Sequence, residues 1–99
     1  QMTEAEAAWI GAMIEAEGSV AFAPPSSNHR AKVTVVNTDP EIISAMLRVT
    51  GAGTVHFGKA RTQLGRKPIF VWWMSRWRDV QELVRQSGQY SMKLQKVTV

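Results

Sequence analysis

The chain has 99 residues, a formal net charge of +4 and no cysteine. That length suits one domain spanning residues 1–99, because either half alone would have too little interior to be stable. Without cysteine there is no disulfide framework and no Cys-ligated zinc, and a reducing intracellular setting is the expectation. No apolar run approaches the roughly 20 residues of a membrane helix, and no secretory pattern is read at the start, so no membrane partner is expected.

The charge is unevenly spread. Residues 1–17 carry four acids, Glu4, Glu6, Glu15 and Glu17, and no Lys or Arg. Residues 18–76 carry eight bases and only two acids, Asp39 and Glu41. An acidic opening followed by a basic middle suggests a polyanion met by the middle of the chain, against the blander reading of a solvated basic surface.

The opening segment reads as a helix. Thr3 with Glu6 three residues on fits a capping box, and Gly18 is a good terminator. Trp9, Ile10, Met13 and Ile14 form an apolar face suited to covering a sheet. Ala5, Ala8, Gly11, Ala12 and Ala16 are all small, and Gly11 in a helix interior costs about 1 kcal/mol relative to Ala. Close approach of a second helix would compensate.

After Gly18 the period changes to two. Residues 19–23 alternate, Pro24-Pro25-Ser26-Ser27-Asn28 breaks the pattern, and residues 31–36 alternate again, which predicts a hairpin with a polar tip ending in His29 and Arg30. Asp39 as N-cap and Pro40 at the first helical position open a second helix, closed at Gly51. A second hairpin is predicted over 53–59 and 68–75, with a turn around Gln63-Leu64-Gly65-Arg66. A third helix over about 78–86 follows, then a short basic tail with Lys93 and Lys96. Helix, two strands, helix, two strands, helix predicts an α+β fold: a four-stranded antiparallel sheet with helices on one face.

The first helix ends oddly. The C-terminal end of a helix carries partial negative charge, so Glu15 and Glu17 in its last turn are unfavourable by up to about 1 kcal/mol each. Acids at that end make sense beside a cation, and carboxylate oxygens are ligands that Mg²⁺ prefers. A tolerated surface misplacement is the competing reading.

Trp9-Ile10-Gly11-Ala12-Met13-Ile14-Glu15-Ala16-Glu17-Gly18 resembles the LAGLIDADG motif of homing endonucleases, with residues 10–18 covering its nine positions and both acids present as Glu. Val33-Thr34-Val35-Val36-Asn37-Thr38-Asp39, Gly51-Ala52-Gly53 and Gly65-Arg66-Lys67-Pro68 leading into Phe70-Val71-Trp72-Trp73 are similar to later parts of that family. The resemblance implies the αββαββα fold and a divalent-metal-dependent DNA endonuclease acting on double-stranded DNA. With one copy of the motif, it implies a homodimer joined through the first helix at Ala8, Gly11, Ala12 and Glu15. It also implies that Glu17, with backbone oxygen at or beside Gly18, binds Mg²⁺, for which Mn²⁺ substitutes. Two such sites would hydrolyse one phosphodiester on each strand of a partly palindromic site, leaving short 3′ overhangs.

The family also uses basic and polar residues near the metal. Lys93 is the first candidate for the basic group and Lys96 the second; Lys32 or Thr34 is the candidate for orienting water. The sheet would lie along the major groove, which admits a β-ribbon. Val20, Phe22, Val33, Val35, Val55, Phe57, Phe70, Trp72 and Met74 are expected to point at the helices. Ser19, Ala21, Lys32, Thr34, Thr54, His56 and Lys59 are expected to point at DNA, joined at the hairpin tips by Ser27, Asn28, His29 and Arg30, then Arg61, Gln63, Arg66 and Lys67. Ile69, Val71 and Trp73 on the other face of the fourth strand either pack or meet thymine methyls. Two rival readings stand beside this one: a non-catalytic nucleic-acid-binding protein of the same fold (an RNA maturase or transcription regulator), and a protein-interaction domain that uses the small-residue helix for dimerisation only.

Overall fold

A computed structural model of the chain describes residues 1–24, 30–62 and 65–98, with 60–62 and 66 described for their backbone alone. Helix α1 spans Glu4–Glu17, and its start follows the sequence signal. The Thr3 hydroxyl accepts from the Glu6 amide while the Glu6 carboxylate accepts from the Thr3 amide, a complete capping box. Strand β1 (Gly18–Phe22) begins at the residue after the helix, with no connecting loop. Strand β2 (Ala31–Asn37) returns antiparallel, Gly18 opposite Val35 and Phe22 opposite Ala31.

Helix α2 (Pro40–Thr50) starts with the Asp39 carboxylate accepting from the Glu41 amide and with Pro40 in the first turn; it ends at Gly51 in the left-handed conformation. Strands β3 (Thr54–Thr62) and β4 (Gly65–Met74) form a longer hairpin than the periodicity predicts, paired without a bulge from Thr54↔Trp73 to Thr62↔Gly65. Helix α3 spans Trp77–Ser87. The tail is not irregular: a 3-10 turn (Gly88–Tyr90) and a one-turn helix α4 (Met92–Gln95) follow.

All pairings are antiparallel and the strand order is β1-β2-β4-β3, so each hairpin gives one central and one edge strand. The core lies between one sheet face and the helices. Ile10 and Ile14 of α1, Ile43 and Met46 of α2, and Val80 and Leu83 of α3 meet Val33, Val35, Trp72 and Met74 of the two central strands. The expected inward face is therefore confirmed in direction, though its ends are uncovered: Phe22 is 57% exposed and Phe57 53%. Phe57 instead packs on Phe70, ring centroids 5.3 Å apart.

The face of α1 that reaches the core is rotated from the expected one. Ala7, Ile10, Gly11 and Ile14 are buried, while Trp9 turns outward beside Ala5, Ala12 and Ala16. Trp72 sits at the centre of the sheet, fully buried, and its indole N–H donates to the Ala52 carbonyl at 3.0 Å. Trp72→Phe would remove that bond and leave a partly empty site, so a loss of about 2–4 kcal/mol is expected. Urea unfolding checks it: the midpoint should fall while the slope stays unchanged.

Candidate functional site

The site is built around the junction of α1 and β1. Because β1 starts directly at Gly18, the end of the helix is pressed against the sheet. A Cβ at Gly18 would lie 2.7 Å from the Ile14 carbonyl oxygen and 3.1 Å from that of Thr34, so only glycine fits this close approach. Glu17 is thereby carried to the edge of the sheet, in a shallow cleft with Val36, Asn37, Thr38 and Ile69.

The two acids of the last turn have different fates. Glu15 is half-buried, and one of its oxygens accepts from the Ser91 hydroxyl at 3.2 Å and from the Lys93 amide at 3.0 Å. The hydrogen bond from the Lys93 amide, with help from Ser91 and the Lys93 charge, holds the Glu15 carboxyl below the usual carboxylate range. Glu15 thus fastens the start of α4 to the end of α1. Lys93, held there, extends its ammonium to the Gly18 carbonyl at 2.8 Å. A cation at a helix C-terminus is favourable, so the oddly charged ending carries its own counter-charge. Glu17 is left exposed, with no hydrogen-bonding or ion-pair partner among the described residues.

Two of the expected interface residues are corrected by this arrangement. Gly11 is buried inside the chain, where a Cβ would meet the Tyr90 Cβ at 2.6 Å and the Ser87 carbonyl oxygen at 2.9 Å. Its smallness is explained by the 3-10 turn after α3 rather than by a second helix. Glu15 likewise spends its carboxylate on the C-terminal segment. Ala12 is exposed and Ala8 half-exposed, on an open face that runs Ala5, Trp9, Ala12, Ala16.

At the backbone oxygen expected to join Glu17 on the metal, the Gly18 carbonyl accepts from the Lys93 ammonium. Among the described residues no group of three or more His, Asp or Glu stands together. A lone exposed carboxylate such as Glu17 fits a Mg²⁺ site in which protein supplies only one or two carboxylates.

The second face of the sheet is open. Every described outward residue, from Ser19 and Ala21 on β1 to Lys32, Thr34 and Val36 on β2, Thr54 and His56 on β3, and Lys67, Ile69, Val71 and Trp73 on β4, is exposed or half-exposed. Ser19, Thr34, Trp73 and Thr54 form one row across the four strands. The Lys32 ammonium lies 4.7 Å from the Trp73 ring centroid, a cation–π contact that holds this cation on the sheet. Thr34 is opposite Ser19, next to the helix junction, whereas Lys32 is opposite Ala21, two positions farther along. Thr34 is therefore nearer to Glu17.

Other candidates are placed elsewhere. Unbroken alternation along β3 puts Lys59 on the side of Val55 and Phe57, not with Thr54 and His56, so its expected direction is corrected. The Arg30 guanidinium lies 5.1 Å from the Trp77 ring centroid. Lys96 lines a cleft with Phe22, Arg30 and Trp77 at the far end of β1, away from Glu17. Lys93 alone of the two tail lysines reaches the junction. Ser27, Asn28, His29 and Gln63 lie outside the described residues, as do the side chains of Arg61 and Arg66.

The chain is similar to the archaeal intron-encoded homing endonuclease I-Vdi141I complexed with DNA, with a TM-score of 0.61 and 18% identity over 88% of this chain and 56% of that one. It is also similar to the group I intron-encoded homing endonuclease I-CeuI complexed with DNA, at a TM-score of 0.61 and 14% identity over 93% of this chain and 47% of that one. The fold is that of the LAGLIDADG homing endonucleases. This LAGLIDADG-like chain spans about half the length of each structure it matches. No family model and no curated protein sequence matches it. No helix among the described residues is long and apolar enough to cross a membrane.

The Glu15 anchor makes a pH prediction. Its carboxyl titrates lower in the folded chain than when unfolded. The stabilisation is therefore fully present above the unfolded glutamate pKa of about 4.3 and is lost as pH falls through the lower folded value. Wild type should melt above Glu15→Gln at neutral pH, and the difference should shrink as pH falls below the ordinary glutamate value. Parallel melting curves from neutral to acid pH test this; a constant difference would show that Glu15 does not act through its charge.

Proposed function

We propose that this chain is a site-specific DNA endonuclease that cleaves both strands of a long, partly palindromic site as a homodimer. The observation that carries the reading is Glu17: an exposed carboxylate, without a partner among the described residues, standing where an open small-residue helix face meets an open sheet face. The neighbours' DNA complexes and the basic middle of the chain support double-stranded DNA as the substrate.

Two copies would meet through Ala5, Ala8, Trp9, Ala12 and Ala16 of α1, side chains small enough, Trp9 apart, to let two helices approach closely. That contact would bring the two Glu17 carboxylates together at one end of the helix pair, beside both sheets. Mg²⁺ or Mn²⁺ held by Glu17 would polarise the scissile phosphate and favour a water as nucleophile. Lys93, fixed by Glu15, would supply positive charge beside the phosphate as negative charge builds on it. Thr34, nearer the junction than Lys32, would hydrogen-bond water there. The outward residues Ser19, Lys32, Thr34, Thr54, His56 and Lys67 would contact bases and phosphates in the major groove, with the hairpin tips extending the contact.

Glu17→Gln removes the ligand charge while keeping the side chain's shape. Cleavage of a selected duplex with Mg²⁺ should fall at least a hundredfold, to judge from the roughly 10–100-fold cost of losing even an outer-shell partner of a metal. Duplex affinity should hold or tighten slightly, because a negative charge leaves the binding surface. Ala12→Arg places charge in the middle of the open helix face without touching the core. Sedimentation should then report a monomer where wild type is a dimer, and an unchanged dimer would overturn the helix-to-helix arrangement. A chain that selects a duplex from a randomised library but cuts it with neither metal would instead support binding without cleavage.

A further inference from the structure

The open sheet face is not uniformly polar. Val36 on β2 and Val71 and Ile69 on β4 form an apolar strip, Val36 directly opposite Val71 and Ile69 opposite Gly58, which has no side chain to cover it. Val36 is 41% exposed, and Val71 and Ile69 are half-exposed. None of the three belongs to the buried core. Solvating such a strip is unfavourable, and on the same face Thr34 and His56 flank it, Lys67 stands beyond Ile69, and Lys32 lies farther along β2 against Trp73. The Glu17 carboxylate stands at its helix-junction end, so the strip fits a partner that carries methyl groups at its centre and anionic groups toward the lysines.

Resting on the DNA reading above, we propose that this strip reads the 5-methyl groups of thymine in the major groove, within a few base pairs of the cut. The thymine methyl is the apolar group that a base pair presents there, and side chains select it by contact rather than by hydrogen bonding. Two central strands, about 4.8 Å apart, fit within the roughly 12 Å of the groove. The position relative to the cut follows from the cleft at the helix junction, in which Val36 and Ile69 stand together with Glu17. Among the described residues the three stay outside the core and keep part of their surface open on that face, where base edges would meet them.

The test changes the DNA and leaves the protein intact. A duplex selected by the wild-type chain from a randomised library is resynthesised with deoxyuridine for thymidine, which deletes the methyl and keeps the pairing. Affinity is compared at one salt concentration, since phosphate contacts dominate its absolute value. Removing a contacted methyl should weaken binding about fourfold, the worth of one buried methyl-sized group. The sensitive thymines should cluster near the cut. In Val36→Ser/Val71→Ser, both changed residues lie outside the core, and thymine and uracil duplexes should bind alike. Equal affinity of the wild-type chain for both duplexes would overturn the methyl-reading strip while leaving the nuclease reading standing. Failure to select any duplex would overturn both.

Discussion

The arrangement depends on helix α1 running into strand β1 without an intervening residue. Gly18 makes this possible, because a side chain there would strike the Ile14 and Thr34 backbones. With no loop to absorb variation, the last turn of the helix is fixed against the second strand, and Glu17 is fixed with it. The rest of the site is assembled onto this junction. Val36 and Thr34 come from the strand that pairs there, and Lys93 from the short helix that docks against the helix end.

The docking of that short helix gives the C-terminal segment its role. Glu15 binds it through the Lys93 amide and Ser91, Gly11 makes room for Tyr90, and the Ser87 hydroxyl donates to the Ala7 carbonyl at 2.9 Å. These contacts lie along one flank of α1, while the core occupies a second and the open small-residue stripe a third. A fourteen-residue helix is thus packed on two flanks and open on the third.

Much of the fold could be read from the sequence because its signals were local. The Thr3–Glu6 capping box, the Asp39-Pro40 start, the left-handed Gly51 and the alternation in the strands each depend on a few adjacent residues. What could not be read depends on residues distant in the chain. Gly11 signalled a close approach correctly, but the partner was Tyr90, seventy-nine positions away, and nothing local distinguishes that from a second copy. The acids at the end of α1 signalled a nearby cation, and one proved to be the chain's own Lys93. The rotation of Trp9 out of the core was hidden for the same reason: the C-terminal turns claim the flank next to Gly11 and shift the helix about its axis. Lys59 was misplaced where simple alternation, carried to the end of the strand, would have placed it correctly.

The division of the sheet into two faces has a consequence for how such a chain can change over time. Residues that hold the fold and residues that would meet a base pair alternate along every strand, so neighbouring codons fall under different constraints. Val33 and Val35 are buried with Trp72 and Met74, while Lys32, Thr34 and Val36, which alternate with them, lie outside the buried core. Substitutions at the second set leave folding stability nearly untouched, since surface changes generally cost within about 0.5 kcal/mol. A lineage can therefore change the chemistry of its open sheet face by single steps, each a folded protein, without reworking its interior.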